Sequence, residues 1–126
     1  MVDTRPAGFD GVFAELREVL AAHAPELVVT ADEPGTFYLE APRAFAGRSE
    51  PAFFGAVQRR KSYVSYHLMP VYADPSLLEG MSTALKKRMQ GKSCFNFTRP
   101  LDEGTRAELT ELTRRGMEKY RQLGLV

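Results

Sequence analysis

The stretch from residue 61 to residue 98 constrains the fold more than any other part of this chain. Tyr63 to Val71 alternates like a strand, a helical segment ends near Gly91, and Ser93 to Thr98 alternates again. Side chains alternate across a strand. Val64, Tyr66 and Leu68 therefore face one way, and Ser65, His67 and Met69 the other. In the later strand Phe95 and Phe97 oppose Cys94, Asn96 and Thr98. The intervening segment opens on Asp74-Pro75, where Asp can cap and Pro suits the first helical position. Leu77, Leu78, Met81, Leu85 and Met89 share a helical face, Ser82 can cap a second piece, and Gly91 is a natural stop. A helix of about 15 residues spans ~22 Å and nearly returns the chain to its starting level. This predicts that the two strands run parallel, joined by a right-handed crossover.

The remaining chain supplies more elements. Met1 to Gly8 reads as a loose tail, and residues 9–126 as one domain. Phe9, Val12, Phe13, Leu16, Val19 and Leu20 recur at helical spacing, and the helix must end before Pro25. Leu27 to Thr30 and Thr36 to Ala41 read as a hairpin around Asp32-Glu33-Pro34-Gly35. Pro42 to Pro51 is a loop, Ala52 to Gln58 a third strand, and Arg59 to Ser62 a turn. Asp102 can cap a final helix that buries Leu109, Leu112, Gly116, Tyr120 and Leu123. These elements predict an α+β two-layer sandwich, with an about five-stranded, mostly antiparallel sheet and helices packed on one face. Phe37 and Leu39 join the apolar side, which leaves Tyr38, Ser65, His67, Cys94 and Asn96 on a more open face.

That open face is the candidate ligand-binding surface, with hydrogen-bonding groups beside aromatic walls. A solvated sheet face and a homodimer surface are the competing explanations. If the strands before and after the crossover start at one sheet end, Arg59, Arg60 and Lys61 meet Arg88 and Lys92 in a patch for an anionic ligand or an acidic partner. Solvated turn charge is the plainer explanation.

Several classes are argued against. Net charge is +1, from 17 basic and 16 acidic residues, which argues against general nucleic-acid binding without ruling out a local basic patch. The single cysteine precludes an internal disulfide and fits a reducing cytoplasm. Residues 1–9 lack the basic-then-apolar pattern of a signal peptide, and no apolar run approaches the ~20 residues that span a bilayer. Gly91-Lys92-Ser93 leaves a helix and enters a strand, the reverse of a phosphate-binding loop. His23, on the apolar stripe near the end of the first helix, suits a structural role. No zinc-ligand spacing occurs, and Asp10, Glu15, Glu18, Asp32 and Glu33 make only a dispersed acidic set. Cys94 and His67, with Asn96 as a third member, could form a thiol-dependent catalytic set. No nucleophile signature surrounds Cys94, and a lone cysteine is commonly a small buried apolar group. No catalytic residue and no metal ligand is assigned.

Residues 61–68 and 91–97, with Phe53-Phe54-Gly55 earlier in the chain, resemble the YdhG-like family of small bacterial domains. The resemblance covers about residues 9–121 and is distinctive in the second half. It implies a frataxin-like sandwich and, because some members are described as iron chaperones, a role in handing on iron. The acidic ridge that such iron binding uses has no counterpart in the dispersed acids of the first helix. The expectation is thus a non-enzymatic binding module for a small ligand or protein partner, with iron as the one cofactor the resemblance implies.

Overall fold

The computed structural model describes residues 8–126, so the expected tail, apart from Gly8, lies outside the described residues. Helix α1 (Phe9–Ala21) forms on the apolar stripe and buries Val12, Leu16, Val19 and Leu20. Six strands follow: β1 (Val28–Glu33), β2 (Thr36–Glu40), β3 (Phe53–Arg59), β4 (Val64–Leu68), β5 (Met89–Gln90) and β6 (Cys94–Phe97). Their order in the sheet is β1-β2-β3-β4-β6-β5, and every neighbouring pair is antiparallel. Short helices α2 (Met69–Ala73) and α3 (Thr83–Lys86) lie between β4 and β5, and α4 (Glu103–Gln122) closes the chain. No helix among the described residues is long and apolar enough to cross a membrane.

The α+β sandwich is as expected, but the parallel pairing is not. β4 and β6 are antiparallel, with Val64 opposite Phe97 and His67 opposite Cys94. The expected long crossover helix does not exist. Pro70 lacks the N–H that would extend the β4 ladder, and the chain turns into α2 at Met69. Asp74 then caps a 3-10 turn at Pro75–Leu78 by accepting from the Ser76 amide, and Gly80 adopts a left-handed φ of 80°. Ser82 caps α3 by accepting from the Leu85 amide. Without a rigid ~22 Å rod, the chain folds back, and Gly91 (φ 78°) turns β5 into β6.

The core lies between the sheet and helices α1 and α4. Phe37, Leu39, Val57, Val64, Tyr66, Leu68, Phe95 and Phe97 point into it. Asp102 caps α4 as predicted, by accepting from the Thr105 amide. Leu109, Leu112, Gly116 and Tyr120 are buried, whereas Leu123, expected inside, is exposed because it sits at the C-terminal cap. Inside the core the Thr113 hydroxyl donates to the Leu109 carbonyl, so the Tyr66 hydroxyl is the donor in its 2.7 Å bond to Thr113. That bond ties the central strand to α4, and a bond of its kind is worth about 1 kcal/mol net.

A β-bulge decides where two adjacent phenylalanines go. Leu39 pairs with Gly55 and Glu40 with Phe53, so Phe54 is the extra residue. Phe54 enters the core against Tyr120 and His23, while Phe53 turns to the opposite face against Tyr38 and His67. Gly55 is required there. A Cβ at this position would stand 2.9 Å from the His67 carbonyl oxygen and 3.1 Å from Leu20 Cδ1. Gly55→Ala should therefore cost about 1–3 kcal/mol in urea unfolding, the usual penalty of overpacking. A variant as stable as the parent would show that β3 and β4 do not approach so closely.

Candidate functional site

The strand register builds the uncovered face in two rows. One row runs Tyr38, Ala56, His67, Cys94 and Gln90; the next runs Thr36, Gln58, Ser65, Asn96 and Arg88. The structure thus brings together all five residues expected on this face, Tyr38, Ser65, His67, Cys94 and Asn96, opposite α1 and α4. The face is not uniformly wet. Ala56 is 2% exposed and Ser65 8%, while Tyr38, Phe53, Gln58, His67, Cys94 and Asn96 are half-buried around them.

Two hydrogen-bonded units organise the surface. Arg60 donates to Gln58 Oε1 and Gln58 Nε2 donates to the Tyr38 hydroxyl oxygen, both at 2.7 Å. The Tyr38 hydroxyl hydrogen is left for a partner. On the other side of the face, Ser93 Oγ and His67 Nε2 share a 2.8 Å hydrogen bond, and Phe53 packs edge-on against the imidazole at 5.1 Å. The side chains of Ser65 and Asn96 have no hydrogen-bond partner among the described residues. Phe53, Gln58 and Ser93 had escaped the sequence reading. The alternation of β3 would have flagged Gln58. Phe53 follows from the bulge, and Ser93 is a turn residue whose proximity to His67 depends on β6 running antiparallel.

Phe53 also links the face to a cleft of about 670 Å³ between the β2–β3 loop and α2, lined by Phe45, Arg48, Pro51, Met69 and Tyr72. A second hollow of about 370 Å³, between the 3-10 turn, α3 and α4, lies away from every predicted site residue.

The expected anion patch does not assemble as predicted. In the antiparallel arrangement Lys92 sits by the end of β4 where the Ser93 carbonyl accepts from the Leu68 amide, whereas Arg59, Arg60 and Lys61 precede its start. Four residues of strand, about 13 Å, separate those two levels. Arg88 stays at the end nearer Arg60, because its carbonyl accepts from the Asn96 amide at 2.7 Å. Arg59 leaves the group altogether and pairs with Asp10 of α1 at 2.9 Å.

Three more of the acids considered for a cation are similarly engaged, while Glu33 has no side-chain partner among the described residues. Glu18 pairs with Arg106 at 3.3 Å, Asp32 with Arg17 at 2.9 Å, and Glu15 accepts from the Leu101 amide at 2.9 Å. No group of three potential metal-ligating side chains occurs among the described residues. His23 follows the end of α1 beside Phe54, and burial lowers its pKa against an opposing pull from Glu26.

Burial also sets the protonation of the central pair. It lowers the pKa of His67 and raises that of Cys94, with the Arg60 guanidinium offsetting part of the latter effect. At neutral pH the face presents an uncharged imidazole and a thiol rather than a thiolate. No hydrogen bond joins these two groups among the described residues. Comparison with protein-family models, curated proteins and solved structures finds no match.

A pH experiment tests this electrostatic picture. Because the folded-state pKa of His67 lies below its unfolded value, the unfolded chain takes up more protons as pH falls through about 6.5. Stability should therefore drop as pH falls through this region. His67→Gln should show a smaller drop in melting temperature between about pH 7.5 and 5.5 than the parent. The depressed carboxylates Asp74, Asp102 and Glu111 act at lower pH and stay out of that window. Equal drops in both proteins, with an unshifted His67 ring titration by NMR, would contradict the assignment.

Proposed function

We propose that this chain is a non-enzymatic binding module, with the uncovered sheet face holding a small polar ligand or a protein partner. The observation that carries this reading is the pair of register rows that gather Tyr38, Gln58, Ser65, His67, Cys94 and Asn96 on the side away from α1 and α4. Their available groups are complementary in kind: a hydroxyl donor at Tyr38, an amide at Asn96, a hydroxyl at Ser65, and rings at Phe53 and His67. The adjoining cleft of about 670 Å³ falls in the ~300–1,000 Å³ range of small-molecule sites. The lone cysteine, held as a thiol, fits the reducing cytoplasm.

Two other readings have weaker physical support. A nucleophilic cysteine needs its thiolate and a base within hydrogen-bond reach, but burial holds Cys94 protonated and His67 bonds to Ser93 instead. The iron-handling role implied by the YdhG-like resemblance would draw on Asp10, Glu15 and Glu18, each already engaged by an arginine or a backbone amide.

Amide-resolved NMR with a library of polar metabolites tests the binding reading. Binders should shift resonances of β2, β3, β4 and β6 around Tyr38, Gln58, Ser65, His67, Cys94 and Asn96. Asn96→Arg, which fills the middle of the second row, should abolish those shifts while keeping the fold. Shifts confined to α1 and α4, or left unchanged by Asn96→Arg, would count against it. Saturable Fe(II) binding lost on changing Asp10, Glu15 and Glu18 would favour the iron reading instead.

A further inference from the structure

A net charge of +1 conceals a segregated distribution. Residues 51–101 carry eight Lys and Arg against two acids, while the rest of the chain carries nine against fourteen. The fold makes this segregation spatial, because residues 51–101 form β3, β4, β5 and β6 and the connections between them. Of their cations, Arg59 is paired with Asp10. The others are exposed, and none has an ion-pair partner among the described residues. On the helix side most cations are paired: Arg17, Arg106, Arg114, Lys119 and Arg121 meet acids, while Arg115 has no ion-pair partner among the described residues.

The unpaired cations of residues 51–101 border one side of the uncovered face. Lys86, Lys87 and Arg88 lead into β5, Lys92 lies in the β5–β6 turn, and Arg99 follows β6. Arg88 and Arg99 line one small hollow at the sheet's edge, which Asp102 and Thr105 at the start of α4 close on the helix side. Val64 pairs with Phe97, so the β3–β4 turn carrying Arg60 and Lys61 stands beside the end of β6. Lys92 and the turn carrying Arg60 and Lys61 lie at opposite ends of β4, at least four residues of strand or about 13 Å apart. The border flanks a surface of amides and hydroxyls (Gln58, Ser65, Gln90, Asn96) and rings (Tyr38, Phe53, His67).

The partner that fits both features is polyanionic along its backbone and offers planar, hydrogen-bonding groups beside it. An acidic protein surface meets the first requirement only: protein interface cores are depleted in charge and in lysine and enriched in apolar contacts. Single-stranded nucleic acid meets both, because phosphates follow a cationic track while bases stack on rings and bond to amide side chains.

We propose that the uncovered face binds single-stranded nucleic acid, with the Lys86–Arg88, Lys92, Arg99 and Arg60–Lys61 border tracking phosphates and Tyr38, Gln58, His67 and Asn96 meeting the bases. This rests on the reading of the face as a binding surface and names the class of its partner. DNA and RNA share this chemistry, and separate probes distinguish them.

Fluorescence anisotropy on the full chain tests the proposal, with labelled oligothymidine and oligouridine of ~10 nucleotides as probes. At least one should bind, and its affinity should fall about tenfold or more between about 50 and 200 mM salt. The double change Lys87→Glu with Arg88→Glu should weaken binding at least about tenfold. Tyr38→Ala should weaken it about tenfold, the order of one lost base stack, and Asn96→Ala several-fold, with all melting temperatures measured alongside. No binding of either probe at low salt would overturn the proposal. So would indifference to both face variants, or polyglutamate binding as tightly as the oligonucleotides. If the probes fail while metabolites still shift the face in NMR, only the nucleic-acid assignment falls; silence in both experiments removes the binding reading as well.

Discussion

The register of β4 between β3 and β6 is the constraint on which the rest depends. A strand has period two, so a slip of one residue would exchange its two faces. As built, Val57, Tyr66 and Phe95 align on the helix side, and Gln58, Ser65 and Asn96 align on the other. The apolar set is long enough to bury Tyr66 completely, and the polar set is short-chained enough to leave the opposite face unfilled. Core formation and the presentation of a polar surface are two results of one pairing. The hydrophobic penalty of turning Tyr66 and Leu68 outward, about 2 kcal/mol for each side chain, also holds His67 and Ser65 where they are.

Tight contacts on the helix side keep that register from drifting. Gly55 admits the His67 carbonyl and the Leu20 side chain closer than any Cβ would allow, so α1 sits directly on the bulge. Gly116 does the same for α4, where a Cβ would meet Pro70 at 3.0 Å. The Tyr66 hydroxyl bonds to Thr113 and the Tyr120 hydroxyl donates to the Phe53 carbonyl at 2.6 Å. The second of these fixes the backbone of the bulge itself. It is therefore a helix residue, from the far side of the sheet, that steadies Phe53 in contact with Tyr38 and His67 on the open face.

How much of this was legible in the sequence follows from the range of the interactions involved. The faces of β2, β4 and β6 depend only on alternation, and Tyr38, Ser65, His67, Cys94 and Asn96 fall together as read from their positions. The Asp102 and Ser82 caps are equally local, set by a side chain and an amide three residues on. The direction of β6 was not local. It depended on whether residues 74–89 made one rod or several turns, and Pro75, Gly80 and two capping residues divided them. That reversal carried Lys92 to the opposite end of β4 from Arg60 and Lys61 and brought Ser93 to His67, while Arg59 left the composite patch through its pairing with Asp10. β5 is two residues long and has no pattern to read. The swap of Phe53 and Phe54 across the sheet needs knowledge of the pairing with Leu39 and Glu40.

The cations beside β5 have a plainer explanation that accounts for part of their placement. Lysines on an edge strand discourage pairing with another sheet, and β5 is a free edge. The other free edge shows how little charge that protection needs. β1 carries Asp32 and Glu33, a register shift between Val29 and Ala31, and two exposed valines, and Asp32 is itself neutralised by Arg17. A two-residue strand such as β5 offers even less backbone to an intruder, yet it is bordered by far more charge. Edge protection also has no bearing on Arg60 and Lys61 in a turn, or on Arg99 beyond the end of β6. Of the cations on α1 and α4, Arg17, Arg106, Arg114, Lys119 and Arg121 pair with acids, whereas Arg60, Lys61, Arg88, Lys92 and Arg99 have no ion-pair partner among the described residues. A line of exposed cations with no ion-pair partner among the described residues, beside a face where the Ser65 and Asn96 side chains have no hydrogen-bond partner there, is the arrangement expected where an external anion supplies the countercharge.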